Sequence, residues 1–364
     1  MKTAGTINGG DAMTREISPS VTQAVHPLRG VRVVEFEGIG PGPLAGRMLL
    51  DLGAEVTLVA RPNGSGLPPE MTPPRGSPLL AGKSVVELDL KSAEGIARAL
   101  ELVGEADVLV EGYRPGIMER LGLGPDECAK VNPRLVYARM TGWGQHGPLS
   151  SAAGHDLNYI ALSGLLSIAA APGQAPRTPP TVVGDAVGAL GLVSGIACAL
   201  YRVRGEGRGA VIDGAISDVL AMLSPLVLLL RSLGELDGDR PSTLHGSPFY
   251  DTYSCADGRY LSIGAIEPKF YRELLQRLGI EDVDPARQMD RSQWPALKDR
   301  LRALFASKPL SHWSALLEGS DACYAPVLTL DEAAQHPHNQ ARGLYSRDAD
   351  GAIVAVRGLR IQTF

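Results

Sequence analysis

Residues 31–59 read VRVVEFEGIGPGPLAGRMLLDLGAEVTLV, and this stretch decides the fold. A β-rich run at 31–36 leads into a turn of glycines and prolines, and residues 44–52 then have the apolar spacing of a helix. Gly53 stands where helices often end, and residues 55–59 form a second apolar run. A strand, a helix and a strand in this order predict a crossover unit with parallel strands.

The alternation continues along the chain and predicts an α/β protein with a parallel sheet covered by helices on both faces. Further strands are predicted at 85–90, 107–110, 135–140 and 210–213. Helices are predicted at 94–103, 157–166, 185–201 and from about 214 to 233. The pattern then changes to a hairpin around Ala256-Asp257-Gly258, followed by helices near 267–278, 294–307 and 311–318, which indicates a smaller α+β domain.

These patterns divide the chain into a leader and two domains. Residues 1–27 lack the apolar core of a signal peptide and are predicted to be a flexible leader. Residues 28–222 and 336–364 form the predicted large domain, with last strands near 353–356 and 359–362. Residues 223–335 form the predicted small domain with its linkers.

Composition excludes several classes of protein. Of 364 residues, 44% are hydrophobic, so the chain can bury a core and is not disordered. A net charge of −5 leaves no electrostatic footprint for nucleic acid or an anionic membrane surface. None of the four cysteines forms a CxxC pair, so we expect reduced thiols in a cytoplasmic protein and no metal site. No apolar run is long enough to predict a membrane span.

Two loops at strand ends point to a phosphorylated ligand. Pro41 and Pro43 remove amide donors from the glycine-rich turn, which makes it a poor dinucleotide loop. Arg61 ends the second strand, where a cation suits the 2′-phosphate of NADP or the 3′-phosphate of coenzyme A. Arg114 and Arg120 follow the strand at 107–110, at the sheet edge where α/β folds bind ligands, and could hold a diphosphate.

Side chains that can move protons lie at three predicted helix starts. His155 and Asp156 open one helical run, with His155 projecting and Asp156 in a capping position. Asp185 opens another run after Gly184 and is placed as an N-cap aspartate. Glu267 precedes Pro268 at a third helix start. Their spacing in the sequence does not show whether they converge.

Together these motifs resemble the α-methylacyl-CoA racemase branch of the family III CoA-transferase superfamily, over residues from about 28 to 345. The segments 154–159 (GHDLNY) and 264–268 (GAIEP) are specific to the racemase branch. Segments of the whole superfamily are 28–35, 38–43, 51–56, 89–91, 111–116, 119–124 and 138–145. The resemblance implies a Rossmann-like large domain, a smaller α+β domain, an interlocked homodimer and acyl-CoA substrates. It implies no metal and no organic cofactor, because CoA is part of the substrate.

The resemblance also assigns binding residues. Arg61 would lie on the side of the adenosine phosphate. Residues that would line the adenine region are Leu88, Asp89, Leu90 and Lys91, and those on the body of CoA are Gly112, Tyr113, Arg114 and Arg120. Residues 154–159, with Gly154, Asn158 and Tyr159 among them, would surround the thioester, and the Asp156 amide would face its oxygen.

By the same resemblance, His155 and Asp185 would exchange the α-proton on opposite faces of an enolate, giving a racemase or epimerase of 2-methylacyl-CoA thioesters. Glu267 would orient His155 and stabilise its imidazolium. The chain departs from the family pattern after Asp185, at residues 186–189, and at residues 81–83, where Lys83 ends a segment that commonly carries arginines.

Three alternatives stay open. A family III CoA transferase would use Asp156 as a nucleophile that forms a mixed anhydride. An NADP-dependent oxidoreductase would use the glycine-rich loop. A CoA-thioester binding protein would have lost catalysis through the altered segment after Asp185.

Overall fold

The computed structural model describes residues 25–62, 64, 77–170, 173–236, 242–348, 350–356 and 359–361. The predicted leader at 1–27 lies outside this range except for its last three residues.

A six-stranded parallel sheet forms the larger part of the molecule. Its strands are β1 Arg32–Phe36, β2 Glu55–Ala60, β3 Ser84–Glu87, β4 Val108–Glu111, β5 Val136–Thr141 and β6 Ala210–Ala215. They run in the order β3-β2-β1-β4-β5-β6, and every pair is parallel. The strand order reverses between β1 and β4, which is the topological switch of a Rossmann-like sheet. The predicted α/β class is confirmed.

Helices cover both faces of this sheet. They are α1 Pro41–Asp51, α2 Ala93–Glu105, α3 Ile117–Arg120, α4 Pro125–Val131, α5 Asp156–Leu162, α6 Val187–Glu206 and α7 Ile216–Ser232. Because side chains alternate along a strand, Val33 packs with Leu49 of α1 and Leu192 of α6, whereas Val34 packs on the other face with Val103 of α2.

A buried ion pair fixes α1 to β1. Lys83 Nζ lies 2.6 and 2.8 Å from the carboxylate oxygens of Glu35 and donates to the Pro43 carbonyl at 2.9 Å. Gly46 makes room for the pair, since a Cβ there would lie 1.7 Å from Glu35 Oε2. Burial raises the pKa of Glu35 to about 7 and lowers the pKa of Lys83. Lys83 therefore faces the interior, away from any ligand at the surface.

A second, antiparallel sheet has its own core. It consists of β7 Tyr250–Ser254, β8 Tyr260–Gly264 and β9 Tyr324–Pro326, in the order β7-β8-β9. The helices α8 Pro268–Arg277, α9 Trp294–Phe305 and α10 Leu310–Leu317 pack on it. Aromatic rings pack against one another in this core, with Phe249 edge-on to Trp294 and Phe305 edge-on to Trp313.

The C-terminal region adds two short helices, α11 Leu330–Gln335 and α12 Pro337–Ala341, and a hairpin of β10 Tyr345–Arg347 and β11 Ile353–Ala355. The hairpin is a separate two-stranded sheet. The strand expected at 359–362 does not form over 359–361, where the Ile361 carbonyl instead accepts from Val25 N at 3.2 Å.

One stretch of the described residues, Val182–Glu206, is long and apolar enough by length and composition to cross a membrane. It includes α6 and has a mean hydropathy of 1.8. In this fold α6 packs against α1, α7 and the strands β5 and β6, which is also what a core helix of an α/β protein does.

Candidate active site

The candidate site lies where the loops leave the carboxyl ends of the sheet strands, beside the switch between β1 and β4. The glycine-rich turn after β1 contacts the segment before α6: a Cβ on Gly40 would lie 3.4 Å from Asp185 Oδ2. Gly40 has a φ of 66°, in the left-handed region that glycine adopts without strain. The turn after β1 thus serves as a wall for Asp185 rather than as a phosphate loop.

His155 is the N-cap of α5, with an extended backbone. Its N–H donates to Asn158 Oδ1 at 3.0 Å, and its carbonyl accepts from Asn158 N at 2.7 Å. The side-chain oxygen of Asn158 therefore binds the backbone of His155 and fixes its conformation. The imidazole itself is exposed to solvent.

Tyr159 supports this turn from below. Its hydroxyl donates to the Gly154 carbonyl, and its ring lies edge-on to Trp143 at a centroid distance of 4.7 Å. A Cβ on Gly142 would come within 2.0 Å of the Tyr159 ring, so only glycine fits there. Tyr159 is 9% exposed and is placed to hold the residues around His155 in position. Trp143, which sequence reasoning did not single out, is flanked by Gly142 and Gly144, the one signal in the sequence of a tightly packed ring.

The sequence predicts that Asp156 caps its own helix, and the structure shows that it does not. Its carboxylate crosses to a distant turn and accepts from the backbone N–H of Thr181 at 3.1 Å, of Gly184 at 2.8 Å and of Asp185 at 2.8 Å. Gly184 is required for this approach, because a Cβ there would lie 2.5 Å from Asp156 Oδ1. The Asp156 side chain is therefore committed to backbone donors on both of its oxygens.

Asp185 is not an N-cap residue, which corrects the sequence interpretation. It lies inside a π-helical turn, Val182–Ala186, that runs directly into α6. Thr181 precedes the turn with a φ of 60°, a strained conformation for a β-branched residue. Such an irregular turn needs partners for its backbone N–H groups, and the Asp156 carboxylate accepts hydrogen bonds from them. Asp185 is left half-buried with its carboxylate beside Gly40.

The three side chains form one electrostatic cluster. Burial and the negative charge of Asp156 raise the pKa of Asp185 above its ordinary value, while the charge of His155 lowers it. Burial and the Asp185 charge also raise the pKa of Tyr159. A carboxyl group with a raised pKa, in one electrostatic cluster with an imidazole, is suited to taking and returning a proton.

Glu267 lies apart from this cluster. It is the N-cap of α8, at the end of β8, and is exposed. Its charge acts on Cys323, whose pKa it helps to raise. No hydrogen bond or ion pair joins the described residues Glu267 and His155 within one chain. The structure thus brings His155, Asp156 and Asp185 together, and among the described residues Glu267 contributes no hydrogen bond or ion pair to this cluster.

The other predicted binding residues line the β2–β4 side of the same edge. The Arg61 guanidinium lies 5.5 Å from the centre of the Tyr113 ring. The backbone N–H of Arg61 donates to Glu37 Oε2 at 3.1 Å. Leu88 and Leu90 are partly buried in the core that Tyr113 also joins. The side chain of Asp89 is occupied by the Lys91 N–H at 3.0 Å.

The loop after β4 is shaped by a buried carboxylate that sequence reasoning missed. Glu111 accepts from Tyr113 N at 2.7 Å and lies 3.6 Å from Arg139 Nε, and burial raises the pKa of Glu111 to about 7. Further along the loop, Arg120 Nη1 lies 3.1 Å from where a Cβ on Gly116 would be, so Arg120 folds back over the loop. Gly112 and Arg114 are exposed on its outer side.

Among the residues that the structure describes, no three potential ligands come close enough together to hold a metal ion.

Comparison with known proteins gives several relatives. The sequence pattern of the family described as CoA-transferase family III matches residues 28–362. The chain is 40% identical to the alpha-methylacyl-CoA racemase of Mus musculus over 326 residues, 89% of this chain and 83% of that protein. It is 40% identical to the alpha-methylacyl-CoA racemase of Homo sapiens over 321 residues, 87% of this chain and 82% of that protein.

Solved structures show the same fold. The crystal structure of Rv3272 from Mycobacterium tuberculosis matches with a TM-score of 0.75 at 30% identity, covering 94% of each chain. A CAIB/BAIF family protein from Brucella suis matches with a TM-score of 0.76 at 26% identity, covering 93% of each chain. The resemblance that the motifs indicated is confirmed by these relatives, and the chain belongs to CoA-transferase family III.

Proposed function

We propose that this protein is an isomerase that racemises 2-methylacyl-CoA thioesters by proton transfer through an enolate. The observation that carries the proposal is the set of hydrogen bonds from the turn of Asp185 to the carboxylate of Asp156. Because Asp156 directly follows His155, these bonds place an imidazole and a carboxyl group in one cluster. Relatives at 40% identity that are named racemases support the same reading.

The reaction requires one base and one acid on opposite faces of the α-carbon. His155 removes the α-proton from one enantiomer, and the electron pair of the C–H bond moves into the thioester carbonyl to form an enolate. Asp185, whose pKa burial and the charge of Asp156 raise, then donates a proton in its protonated form to the other face. In the reverse direction the two groups exchange roles. The backbone N–H of Asp156 is the proposed donor to the enolate oxygen.

The CoA moiety is proposed to lie along the loops after β2, β3 and β4, and it serves as the handle of the substrate. Arg61 supplies a cation for the adenosine phosphate, and the stacked Tyr113 ring holds that guanidinium in place. Exposed Arg114 and Arg120 supply charge for the diphosphate. No metal and no organic cofactor takes part in the proposed chemistry, and we propose a cytoplasmic location with no nucleic-acid or membrane partner.

The alternative of a CoA transferase requires Asp156 to attack the thioester. In this structure both oxygens of Asp156 accept backbone hydrogen bonds, which hold the carboxylate in place and lower its nucleophilicity. The family does contain transferases, such as the acetyl-CoA:oxalate CoA-transferase of Acetobacter aceti, 31% identical over 334 residues. The geometry around Asp156 favours the racemase.

A homodimer is part of the proposal, because the site of one chain lacks Glu267. The helix α7 leaves a row of apolar side chains exposed, among them Met222 and Leu226 at 65% and Leu233, just past its end, at 68%. A soluble monomer rarely exposes such a row, and a second copy of the chain would cover it. We propose that interlocked subunits place Glu267 of the partner subunit beside His155.

The racemase proposal is tested with 2-methylacyl-CoA in deuterated water. Each enantiomer incubated with the protein should lose its α-proton signal in the NMR spectrum and yield both enantiomers carrying deuterium. Acyl transfer to a free carboxylic acid, with an intermediate trapped by hydroxylamine and no α-exchange, would instead identify a transferase. A shift of the melting temperature by NADPH and not by CoA would identify the oxidoreductase alternative.

The dimer proposal is tested by coexpressing His155→Ala and Glu267→Gln chains. If Glu267 acts across the interface, one site of each mixed dimer combines an intact His155 with an intact Glu267 and is active. If it acts within one chain, every site carries a defect and the mixture is as inactive as either variant alone. Light scattering of the same samples gives the number of subunits.

A further inference from the structure

Outside the candidate site, one buried side chain is bonded to the segment that carries Glu267. Gln288 is 5% exposed, and its Nε2 donates to the carbonyls of Ala265 at 3.0 Å and Ile266 at 2.9 Å. These two carbonyls immediately precede Glu267. From this contact we infer that Gln288 is a positioning residue that sets where the Glu267 carboxylate is presented, and the inference rests on the proposed function of Glu267.

The orientation of the Gln288 amide is forced by its surroundings. Two carbonyl oxygens face the amide, so only the NH₂ group can point at them, and both of its N–H bonds are used. Gln288 Oε1 is buried and accepts no hydrogen bond from any residue in the described ranges. The fold therefore keeps both donors paired even though the oxygen of the same amide is left without a protein partner.

Gln288 is itself held rigidly. It ends a short 3₁₀ turn, Pro285–Arg287, and its carbonyl accepts from Trp294 Nε1 at 2.8 Å. The Trp294 ring is buried edge-on against Phe249, with the ring centres 5.7 Å apart. Phe249 also bonds the same segment, since its carbonyl accepts from Ala265 N at 3.0 Å. A shift of Gln288 would therefore require the aromatic core to move with it.

The other supports of the segment lie on either side of the Ile266–Glu267 peptide. The Glu267 carbonyl accepts from Phe270 N and Tyr271 N in the first turn of α8, both at 3.0 Å. Gly264 N donates to the Cys323 carbonyl at 2.9 Å, which ties the end of β8 to the strand beside it. Beyond Ala265, the Ile266 N–H donates within the turn, to the Gly264 carbonyl at 2.9 Å, and to no other group in the described part of the chain. Of the residues that the structure describes, Gln288 is thus the one whose side chain bonds the peptide directly before Glu267. A carboxylate that serves a partner imidazole must be placed within a few tenths of an ångström, which such a contact provides.

The test compares Gln288→Met with Gln293→Met. Methionine has a similar volume and removes both donors. Gln293 is a glutamine of the same loop whose side chain, among the described residues, donates to Asp290 at 2.8 Å and makes no other hydrogen bond. In racemisation of 2-methylacyl-CoA, Gln288→Met should lower kcat about 10- to 100-fold with KM unchanged within about twofold. Gln293→Met should leave both constants unchanged. Equal kinetics of the two variants would overturn the inference.

Two further measurements distinguish a positioning role of Gln288 from a purely structural role. A neighbouring carboxylate favours the imidazolium, so losing its alignment should move the acid limb of the pH–rate profile to lower pH, in Gln288→Met as in Glu267→Gln. The double variant should be no slower than Glu267→Gln alone, because the two residues act through one carboxylate. Additive losses, or an unmoved acid limb, would show that Gln288 does not act through Glu267.

Two controls complete the design. Gln288→Asn keeps the amide but withdraws it by one methylene group, and it gives the same readouts if the methionine variant does not fold. Glu267→Gln tests the proposed role of Glu267 separately from the inference that Gln288 positions it. If Glu267→Gln is fully active, the proposed role of Glu267 fails and the inference fails with it; if it is impaired and both Gln288 variants are normal, only the inference fails.

Discussion

The carboxylate of Asp156 accepts a hydrogen bond of 2.8 Å from the backbone N–H of Asp185, 29 residues further along the chain. This bond and its neighbours convert two sequence motifs into one site. Asp156, which is next to His155, therefore acts through its fixed position. Asp185 keeps its own carboxylate available.

Replacing Asp156 by asparagine should impair both folding and racemisation. The amide oxygen can still accept from Gly184 and Asp185, but the NH₂ group then faces the Thr181 N–H. We expect the free energy of unfolding to fall by about 1–3 kcal/mol in urea titrations. Asp299→Asn, at an exposed position, is the control. Unchanged stability with selective loss of an acyl-transfer activity would indicate a nucleophile instead.

His155→Ala and Asp185→Asn should each abolish racemisation while the protein stays folded. Each variant keeps the base for one face only, so α-proton exchange should persist for one enantiomer, and a different one in each variant. The measurement is NMR of the α-position in deuterated water, started from each pure enantiomer. Exchange of both enantiomers by either variant would contradict the assignment of one base to each face.

Gly40→Ala should lower kcat roughly tenfold, because a methyl group at a φ of 66° is strained and meets the Asp185 carboxylate at 3.4 Å. Gly42→Ala is the matched control: Gly42 lies in α1, and a Cβ there meets nothing within 4 Å. Steady-state racemisation and thermal unfolding of both variants provide the comparison. A Gly40→Ala enzyme as fast as Gly42→Ala would show that this turn is not a wall of the site.

Arg61→Ala should raise KM for the acyl-CoA about tenfold and leave kcat nearly unchanged, since Arg61 is proposed to bind the adenosine phosphate. The sharper readout is the substrate lacking the 3′-phosphate. The intact protein should prefer the complete CoA thioester over the dephospho-CoA thioester, and Arg61→Ala should lose this preference. Arg98→Ala on α2, with an exposed side chain, should behave as the intact protein does. A preference retained in Arg61→Ala would place the phosphate elsewhere.

Glu111 should make stability depend on pH. Its pKa rises from an ordinary 4.5 to about 7 in the folded state, so folding takes up a proton between these values. The stability of the intact protein should therefore decrease, relative to Glu111→Gln, as the pH rises from about 5 to 7.5, by on the order of 2–3 kcal/mol. Urea titrations at each pH measure the difference. Exposed Glu101→Gln should show no such slope, and a slope of opposite sign would refute the raised pKa.

The sheet and its edge were predictable because each element carries a local signal. The apolar runs of the strands and the glycines that follow β1, β4 and β5 are visible in a few residues, and the strands form almost as expected. The linkage of Asp156 to Asp185 was not predictable. It depends on a π-helical turn, which has no sequence signature, and on a contact between distant segments. The same holds for Glu111, whose burial only the packing of β4 reveals.

Local signals also misplaced two side chains. An aspartate at a helix start is usually a cap, so both Asp156 and Asp185 were assigned to their own helices. In the structure the Asp156 carboxylate binds the turn that precedes α6, and Asp185 lies inside that turn and caps no helix. Glu267 was assigned its helix-start position correctly, but its partner cannot be found from one chain.

The Glu35–Lys83 pair restricts how this sequence can change. Removing either member strands a lone ion in the interior at a cost of about 3–5 kcal/mol, whereas replacing both with well-fitting apolar residues can be neutral. Substitutions at these two positions are therefore tolerated together and rejected singly. Across natural variants of this enzyme, the two positions should vary as a coordinated pair, and Gly46 should be replaced only where the pair has already been lost.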